Sequence, residues 1–540
     1  MKKSSLVARF GLIIVCACCF MTALDLTVVN VAIPVMTNTL RAPLSQITWV
    51  VNGYLLVYAA LAIPAGRLAD TLGQRQLFLI GLILFTAASA WCGFATNALM
   101  LIGARVLQGV GSACITAPSL VLLTAVVPAE RRGAALGIYA SMIALARVVG
   151  PVAGGFIVSS LGTNWIFFIN VPIGLALVIG TLIVVPSVKI EKPHSFDSGG
   201  VVLAALGLSS IIFAVVEGPT YNWGTIVGSL TVMQLLIGGV LMLVIFAFWE
   251  RFQREPFLPP SFFKNWPFVS MVTINVVISF AALAVNFVLL LYLESALGMS
   301  ALLSGTILMP QALAVLIGSP LAGRLYDKIG GIPVLVIGLC GYALGIGTLA
   351  WVSTSSTSWP ILLPPLILAG AGVSCTMSPI MGEALRAVKP AMMGAASGVI
   401  SMTRLVGGAI GVAVTSSILQ SNLFAAFNSR MVFAVQQAPV DQRQTFITYL
   451  HALMQSTTIA HSSLALSLQH QGQQIYTESF VQALRPTLLL ITGLLVFGIL
   501  LAFSVRIQGA FAKKAAAKKA EQAPAVAVEI VKDPQPTQAS

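Results

Sequence analysis

One aspartate, Asp25, stands inside the first long apolar run of the chain, in Leu24-Asp25-Leu26-Thr27-Val28-Val29-Asn30-Val31-Ala32-Ile33-Pro34. A charged side chain at mid-bilayer depth costs several kcal/mol, so such an acid faces a protein interior or a wet cavity. Burial disfavours its charged form, which makes an acid held there a candidate proton carrier. The plainer alternative is a packing role near a helix end. Arg105, within Leu101-Ile102-Gly103-Ala104-Arg105-Val106-Leu107-Gln108-Gly109, is a cation on an otherwise apolar helix. It cannot shed its proton, so it needs a partner, water or a snorkelling route to an interface. A fixed cation close to Asp25 would favour the carboxylate, and separating the two would switch its affinity for a proton.

A second set of residues has the chemistry of a latch. Gly66, Asp70, Gly73 and Arg75 combine two glycines, an acid and a base within ten positions, and Gly66-Arg67-Leu68-Ala69-Asp70-Thr71-Leu72-Gly73 recurs as Gly323-Arg324-Leu325-Tyr326-Asp327-Lys328-Ile329-Gly330. Glycine lets helix ends approach closely. Asp70 can accept from the free amides of a helix N-terminus or pair with Arg131 or Arg132. The latch candidates are therefore Gly66, Asp70, Gly73, Arg75, Arg131, Gly323 and Asp327. A third set, Gly137, Ala140, Ala144, Gly150-Pro151 and Gly154-Gly155, places small residues on one helix face for tight packing, with a proline that removes a backbone donor and permits a bend.

The elements that hold these residues are membrane helices. The 540 residues are 58% hydrophobic and only 8% charged, with a mean hydropathy of +0.96; a soluble domain carries about 25% charged residues. Runs long enough to span fall near 10–33, 47–66, 77–96, 99–127, 134–160 and 165–186, then 200–216 and 226–248. Six more fall near 268–293, 302–323, 332–352, 361–382, 394–420 and 485–506, fourteen in all. With the N-terminus inside, most of the 29 Lys and Arg fall on the cytoplasmic side. Only Arg41, Arg430, Arg443 and Arg485 face out, and Arg105, Arg147 and Arg404 lie within spans. This is the positive-inside pattern, so the net charge of +13 signals topology and not a nucleic-acid partner. Both termini are expected in the cytoplasm.

The Lys2-Lys3 start before an apolar run resembles a signal peptide, but the run continues to Pro34 and reads as a retained first span; cleavage before Cys18 is a remote alternative. All seven cysteines fall in spans, which argues against a disulfide framework. The duplicated loop matches at five of eight positions and implies two related bundles. The expected domains are a six-helix bundle over 1–190, two inserted spans with linkers over 191–264 that hold no buried charge, and a second bundle over 265–506. That second bundle includes an external segment at about 421–484, and a disordered cytoplasmic tail at 507–540 follows. His451, His461 and His470 in the external segment lack the i, i+4 spacing of a helical metal site. No metal is expected.

Taken together these motifs resemble the major facilitator superfamily, and within it the fourteen-span drug:proton antiporters of the EmrB/QacA type. The Asp25 segment matches that group's first-helix motif, Gly66–Arg75 its loop signature, Arg105 its fourth-helix arginine, and Gly150, Pro151, Gly154 and Gly155 its antiporter motif. Trp165-Ile166-Phe167-Phe168-Ile169-Asn170-Val171-Pro172-Ile173-Gly174, Gly394, Ser397-Gly398, Arg404 and Gly407-Gly408 resemble further hallmarks; the likeness runs from about residue 10 to 506. It implies an all-α integral membrane protein of the major facilitator fold, two six-helix bundles plus two inserted spans, working by alternating access and not as an enzyme. Asp25 and Arg105 would couple protons to export of lipophilic or amphipathic drugs, with the proton gradient in place of any cofactor.

Two residues depart from the pattern, Arg147 three positions before Gly150, and Glu294 after Leu291-Tyr292-Leu293. With Asn30 they are the substrate-binding candidates. Arg147 also opens the alternative of a dedicated exporter of one metabolite, siderophore or antibiotic, with an anionic charge. A membrane enzyme or a sensor ranks below both. Energetically one proton suffices. About 2.3 kcal/mol per 100 mV plus about 1.4 kcal/mol per pH unit supports outward accumulation on the order of several hundredfold. The expected location is the bacterial inner membrane. In a host with an outer membrane, the external segment is where a periplasmic adaptor and outer-membrane channel would dock.

Overall fold

The computed structural model describes residues 2–186, 197–218, 221, 223–253, 262, 264–455 and 465–521. The linker around Lys189 and Lys192, His461, and the tail beyond Glu521 lie outside the described residues. The first bundle comprises α1 (Lys2–Thr39), α2 (Leu44–Leu72), α3 (Gln74–Gly93), α4 (Ala98–Val126), α5 (Arg132–Leu161), and the pair α6 (Trp165–Phe168) and α7 (Asn170–Val184). The inserted pair is α8 (Ser198–Glu217) and α9 (Val232–Phe252), joined through a small hairpin, β1 (Thr225–Val227) and β2 (Leu230–Thr231). The second bundle comprises α10 (Trp266–Leu291), α11 (Ala301–Ile329), α12 (Gly331–Val352), α13 (Leu363–Ser374) with α14 (Met377–Arg386), α15 (Met393–Gln437) and α17 (Leu466–Glu521); α16 (Arg443–Gln455) stands between the last two.

Among the described residues, thirteen helices are long and apolar enough to cross a membrane. The fourteenth expected span is Gly199–Val215, a shorter apolar helix, because Gly199-Gly200 and Glu217 bound its apolar stretch. Burial sorts the helices by position. The apolar window of α4 is 78% buried and that of α9 only 17%. So α4 is central and α9 presents apolar side chains outward, Phe252 and Val240 among them, a surface that is stable only against lipid.

Two expectations change. The inserted pair holds buried carboxylates: Glu217 is 6% and Glu250 3% exposed. Asn52 of α2 donates to Glu217 at 2.6 Å, and the Trp49 and Phe213 rings lie 5.4 Å apart beside a small, partly open pocket. A polar contact thus pins the pair to the first bundle, and charge patterning could not place a turn glutamate against α2. The described residues of the segment at about 421–484, expected outside the membrane as polar helices or loop, form extensions of α15 and α17 with α16 between them; 45 residues of α15 rise about 68 Å, well over the roughly 30 Å of a hydrocarbon core. Finally, α17 stays helical to Glu521, where disorder was expected from residue 507. The stretch Ala510-Phe511-Ala512-Lys513-Lys514-Ala515-Ala516-Ala517-Lys518-Lys519-Ala520-Glu521 consists mostly of strong helix formers.

Candidate functional site

Two glycines end α2 and α11 in the same way. Gly73 has φ +100° and its N–H donates to the Ala69 carbonyl at 3.0 Å; Gly330 has φ +86° and donates to Tyr326 at 3.0 Å. A side chain would be strained at either position. One turn earlier in each helix, the repeated aspartate reaches across to the other bundle. Asp70 accepts from the amides of Gly394 and Ala395, both at 2.9 Å, at the start of α15. Asp327 accepts from Gly133 at 2.8 Å and Ala134 at 2.9 Å, at the start of α5. A carboxylate on two free amides at a helix N-terminus gains both charge-assisted hydrogen bonds and the helix dipole. Of the two partners open to Asp70, the structure has the amides; Arg131 and Arg132 are both exposed. Arg75 lies apart from the latch contact and donates to the Leu182 carbonyl at 2.6 Å, near the end of α7.

The glycines let the bundles touch at this end. A Cβ on Gly66 would overlap the Gly394 carbonyl, and one on Gly323 the Gly133 carbonyl. Farther along, Gly398 lies against Ala62 and Gly137 against Ser319. So α2 packs on α15 and α5 on α11, and the latch end is closed by backbone against backbone.

Inside the first bundle, five segments converge on Asp25, which is 2% exposed. Its Oδ2 pairs with Arg105 Nη1 of α4. Its Oδ1 accepts from Gln108 Nε2 at 3.0 Å and from Asn170 Nδ2 of α7 at 2.9 Å. Arg105 also donates to the Val50 carbonyl at 3.0 Å and the Gln108 Oε1 at 2.6 Å, and its guanidinium lies 4.3 Å from the centre of the Tyr54 ring. Gln108 donates in turn to Ser89 of α3 at 2.8 Å. The carboxylate therefore has three donors and one full countercharge. A proton reaching Asp25 would remove that countercharge's partner and release Arg105.

Gly150 and Gly154 position this group. Gly150 and Gly154 of α5 lie against Thr27 and Val28 of α1, where a Cβ on Gly150 would overlap the Thr27 hydroxyl. Thr27 donates to the Ala146 carbonyl at 3.1 Å. The glycine face thus seats the α1 turn next to Asp25. Gly155 has open space around it, and the side chain of Pro151 lies outside the description.

Of the remaining candidates, Asn30 is exposed on α1. Glu294 is half-buried in a single π-helical turn, Tyr292–Ala296, that follows α10. Arg147 is exposed on α5, and the groups acting on it electrostatically, Arg404 of α15 and Tyr342 of α12, belong to the other bundle. Gln108, Asn170, Ser89 and Tyr54 join the site without a role evident in the sequence. Gln108 was within reach, since i, i+3 spacing puts it on the Arg105 face; the others arrive only through tertiary packing.

Latches shared between two bundles and a buried ion pair in one of them can be compared with known proteins. The sequence profile of the Major Facilitator Superfamily matches residues 15–412. The chain belongs to that superfamily. The superfamily read from the motifs is thus the one matched, and the chain is a multi-pass membrane transporter, not an enzyme. Among superfamily relatives, it is 30% identical over 481 residues to the multidrug resistance protein Stp of Mycobacterium tuberculosis, covering 88% of each chain. It is 30% identical over 408 residues to the tetracenomycin C resistance and export protein of Streptomyces glaucescens, covering 75% of each. In fold it is similar to the human organic anion transporter MFSD10, with a TM-score of 0.58 over 92% of this chain and 99% of that one, at 12% identity.

Proposed function

We propose that this transporter exports amphipathic compounds in exchange for protons, by alternating access at a site between the two bundles. The drug-resistance and export names of its relatives support the export direction. The observation that carries the proton is the closed group of Asp25, Arg105, Gln108 and Asn170. In this reading the latch loops and both termini are cytoplasmic, in the bacterial inner membrane, and the state described is sealed on the cytoplasmic side. A proton arriving from outside neutralises Asp25 and frees Arg105. The loosened α1–α4 contact lets the bundles rock and the latches open. Asp25 then releases its proton inward, and the ion pair re-forms. No cofactor enters the cycle. The projection built by α15, α16 and α17 is the surface we assign to a periplasmic adaptor; export unchanged by its removal would withdraw that assignment.

In proteoliposomes, Asp25→Asn should keep counterflow of a labelled compound while losing efflux driven by a pH gradient. Wild-type efflux rates in that variant would contradict the coupling role.

A further inference from the structure

Among the described residues, every group hydrogen-bonded to the Asp25 carboxylate is a donor. Oδ2 pairs with Arg105 Nη1, while Oδ1 accepts from Gln108 Nε2 at 3.0 Å and Asn170 Nδ2 at 2.9 Å. That set suits an ionised carboxylate, which only accepts, and misfits a protonated one, which gains an O–H to donate. A buried O–H without an acceptor carries its full desolvation penalty. Holding a proton at Asp25 therefore requires one neighbour to change from donor to acceptor.

Arg105 has no acceptor atom to offer. Gln108 is tied at both ends. Its Nε2 also donates to Ser89 at 2.8 Å, and its Oε1 accepts from Arg105 Nη1 at 2.6 Å and Cys92 Sγ at 3.7 Å. Turning that amide over would break four contacts and set an NH2 group against the guanidinium. The other titratable groups acting on Asp25, Tyr54 of α2 and Cys92 of α3, are engaged elsewhere, Tyr54 with Ser112 at 2.6 Å and Cys92 with Gln108. From α5, Ala146, Gly150 and Gly154 meet α1 here, and Arg147 is exposed; α6 and α7 carry no charged or titratable residue.

Asn170 is the neighbour free to change. The bond to Asp25 is the only hydrogen bond of its side chain among the described residues. A half turn about Cβ–Cγ exchanges Nδ2 for Oδ1 and needs no extra room, because the two ends of the amide are nearly equal in size. The backbone beneath it is fixed. Asn170 is the first residue of α7, and one turn on, Gly174 lies so close to Thr86 of α3 that a Cβ would overlap the hydroxyl.

We propose that Asn170 is the positioning residue for the transported proton: when Asp25 takes up a proton on Oδ1, the Asn170 amide turns over and its oxygen accepts the new O–H. The assignment rests on the proton-coupled reading above. Gln108 continues to donate to a remaining lone pair of Oδ1. The α7 helix thus holds α1 in both protonation states, whereas the charge attraction between α1 and α4 is lost. So α1 and α7 travel together, and α4 is the helix that lets go.

The test is a pH titration of the full chain in phosphatidylcholine nanodiscs, without substrate or gradient. It reads the infrared C=O band of the protonated carboxyl that Asp25→Asn removes. Donating an O–H to an amide oxygen lowers the frequency of that band. In Asn170→Leu the band should move up to the position of a free carboxyl. Because both protonation states lose a bond, the pH at half height should move by less than about half a unit. An Asn170 that only donates would leave the band in place and raise the half-height pH by about one to two units, the worth of a hydrogen bond to a charged group; that result would overturn the proposal. Wild type supplies a check that needs no variant at position 170, since a band already at the free-carboxyl frequency would overturn it too. A spectrum in which Asp25→Asn removes no band at any pH would sink the proton-coupled reading itself, and this assignment with it.

Discussion

At the latch end the two bundles mirror each other, Asp70 on the amides of Gly394 and Ala395, Asp327 on those of Gly133 and Ala134, while deeper in they diverge. The first bundle buries an ion pair and its hydrogen-bonded ring. The second has no such buried ion pair among the described residues and uses contacts such as Asn275, which donates to the Ile400 carbonyl at 2.9 Å and to Thr403 at 3.0 Å. The shared part has the symmetry that opening and closing need, since each bundle grips the other by the same bonds. The unshared part is where an ion can act, because only a titratable group reports the state of a gradient. Motion belongs to both bundles in this account, and coupling to one.

The largest effect should come from breaking the asymmetry. Asp25→Asn should cut pH-driven export at least a hundredfold. Asn275→Val, its neutral contrast in the second bundle, should cost about 1 kcal/mol of stability and leave the pH dependence of export intact, read by thermal melting and efflux. Next, Arg105→Gln leaves a carboxylate buried without its countercharge, which costs about 3–5 kcal/mol in comparable sites; a large fall in melting temperature checks this. Arg105→Lys should not restore it, because one ammonium cannot serve Asp25, Val50 and Gln108 while lying on Tyr54.

The symmetry itself can be sharpened by comparing Asp70→Asn with Asp327→Asn. Each should weaken closure by about 1.5–3 kcal/mol, the range for hydrogen bonds to a charged group, and raise labelling of cysteines introduced between the bundles at the latch end. Asp70→Asn should have the greater effect. Its carboxylate also accepts from Gln74 at 2.8 Å and has Arg67 buried beside it, whereas Arg324 in the second copy is exposed. Equal labelling would show that the flanking residues add nothing. The smallest effect belongs to Gly155→Ala, where no atom stands in the way. Gly150→Ala must displace Thr27 and should reduce export severalfold by moving the α1 turn next to Asp25.

How far the sequence anticipates this depends on distance along the chain. The duplicated glycines and aspartates are legible because a repeat states its own symmetry, and Asp25 and Arg105 because charge is rare in apolar helices. The partners are less so. Whether Asp70 meets an arginine or two amides turns on how α2 lies against α15, more than 300 residues away. Asn170 has no visible role until α7 packs beside α1. Glu217 at a turn gives no sign that it is buried against Asn52. The length of the outer helices was also hidden, because polar Gln and Ser in the 421–484 region suit a helix above the membrane as well as a loop.

The central claim, that Asp25 exchanges a proton for each export event, is tested most directly by a pH-sensitive dye sealed in proteoliposomes during a single pulse of exported compound. The account predicts dissipation of the pH gradient in step with tracer movement in wild type and none in Asp25→Asn. Tracer movement at wild-type speed with the dye signal flat would contradict it.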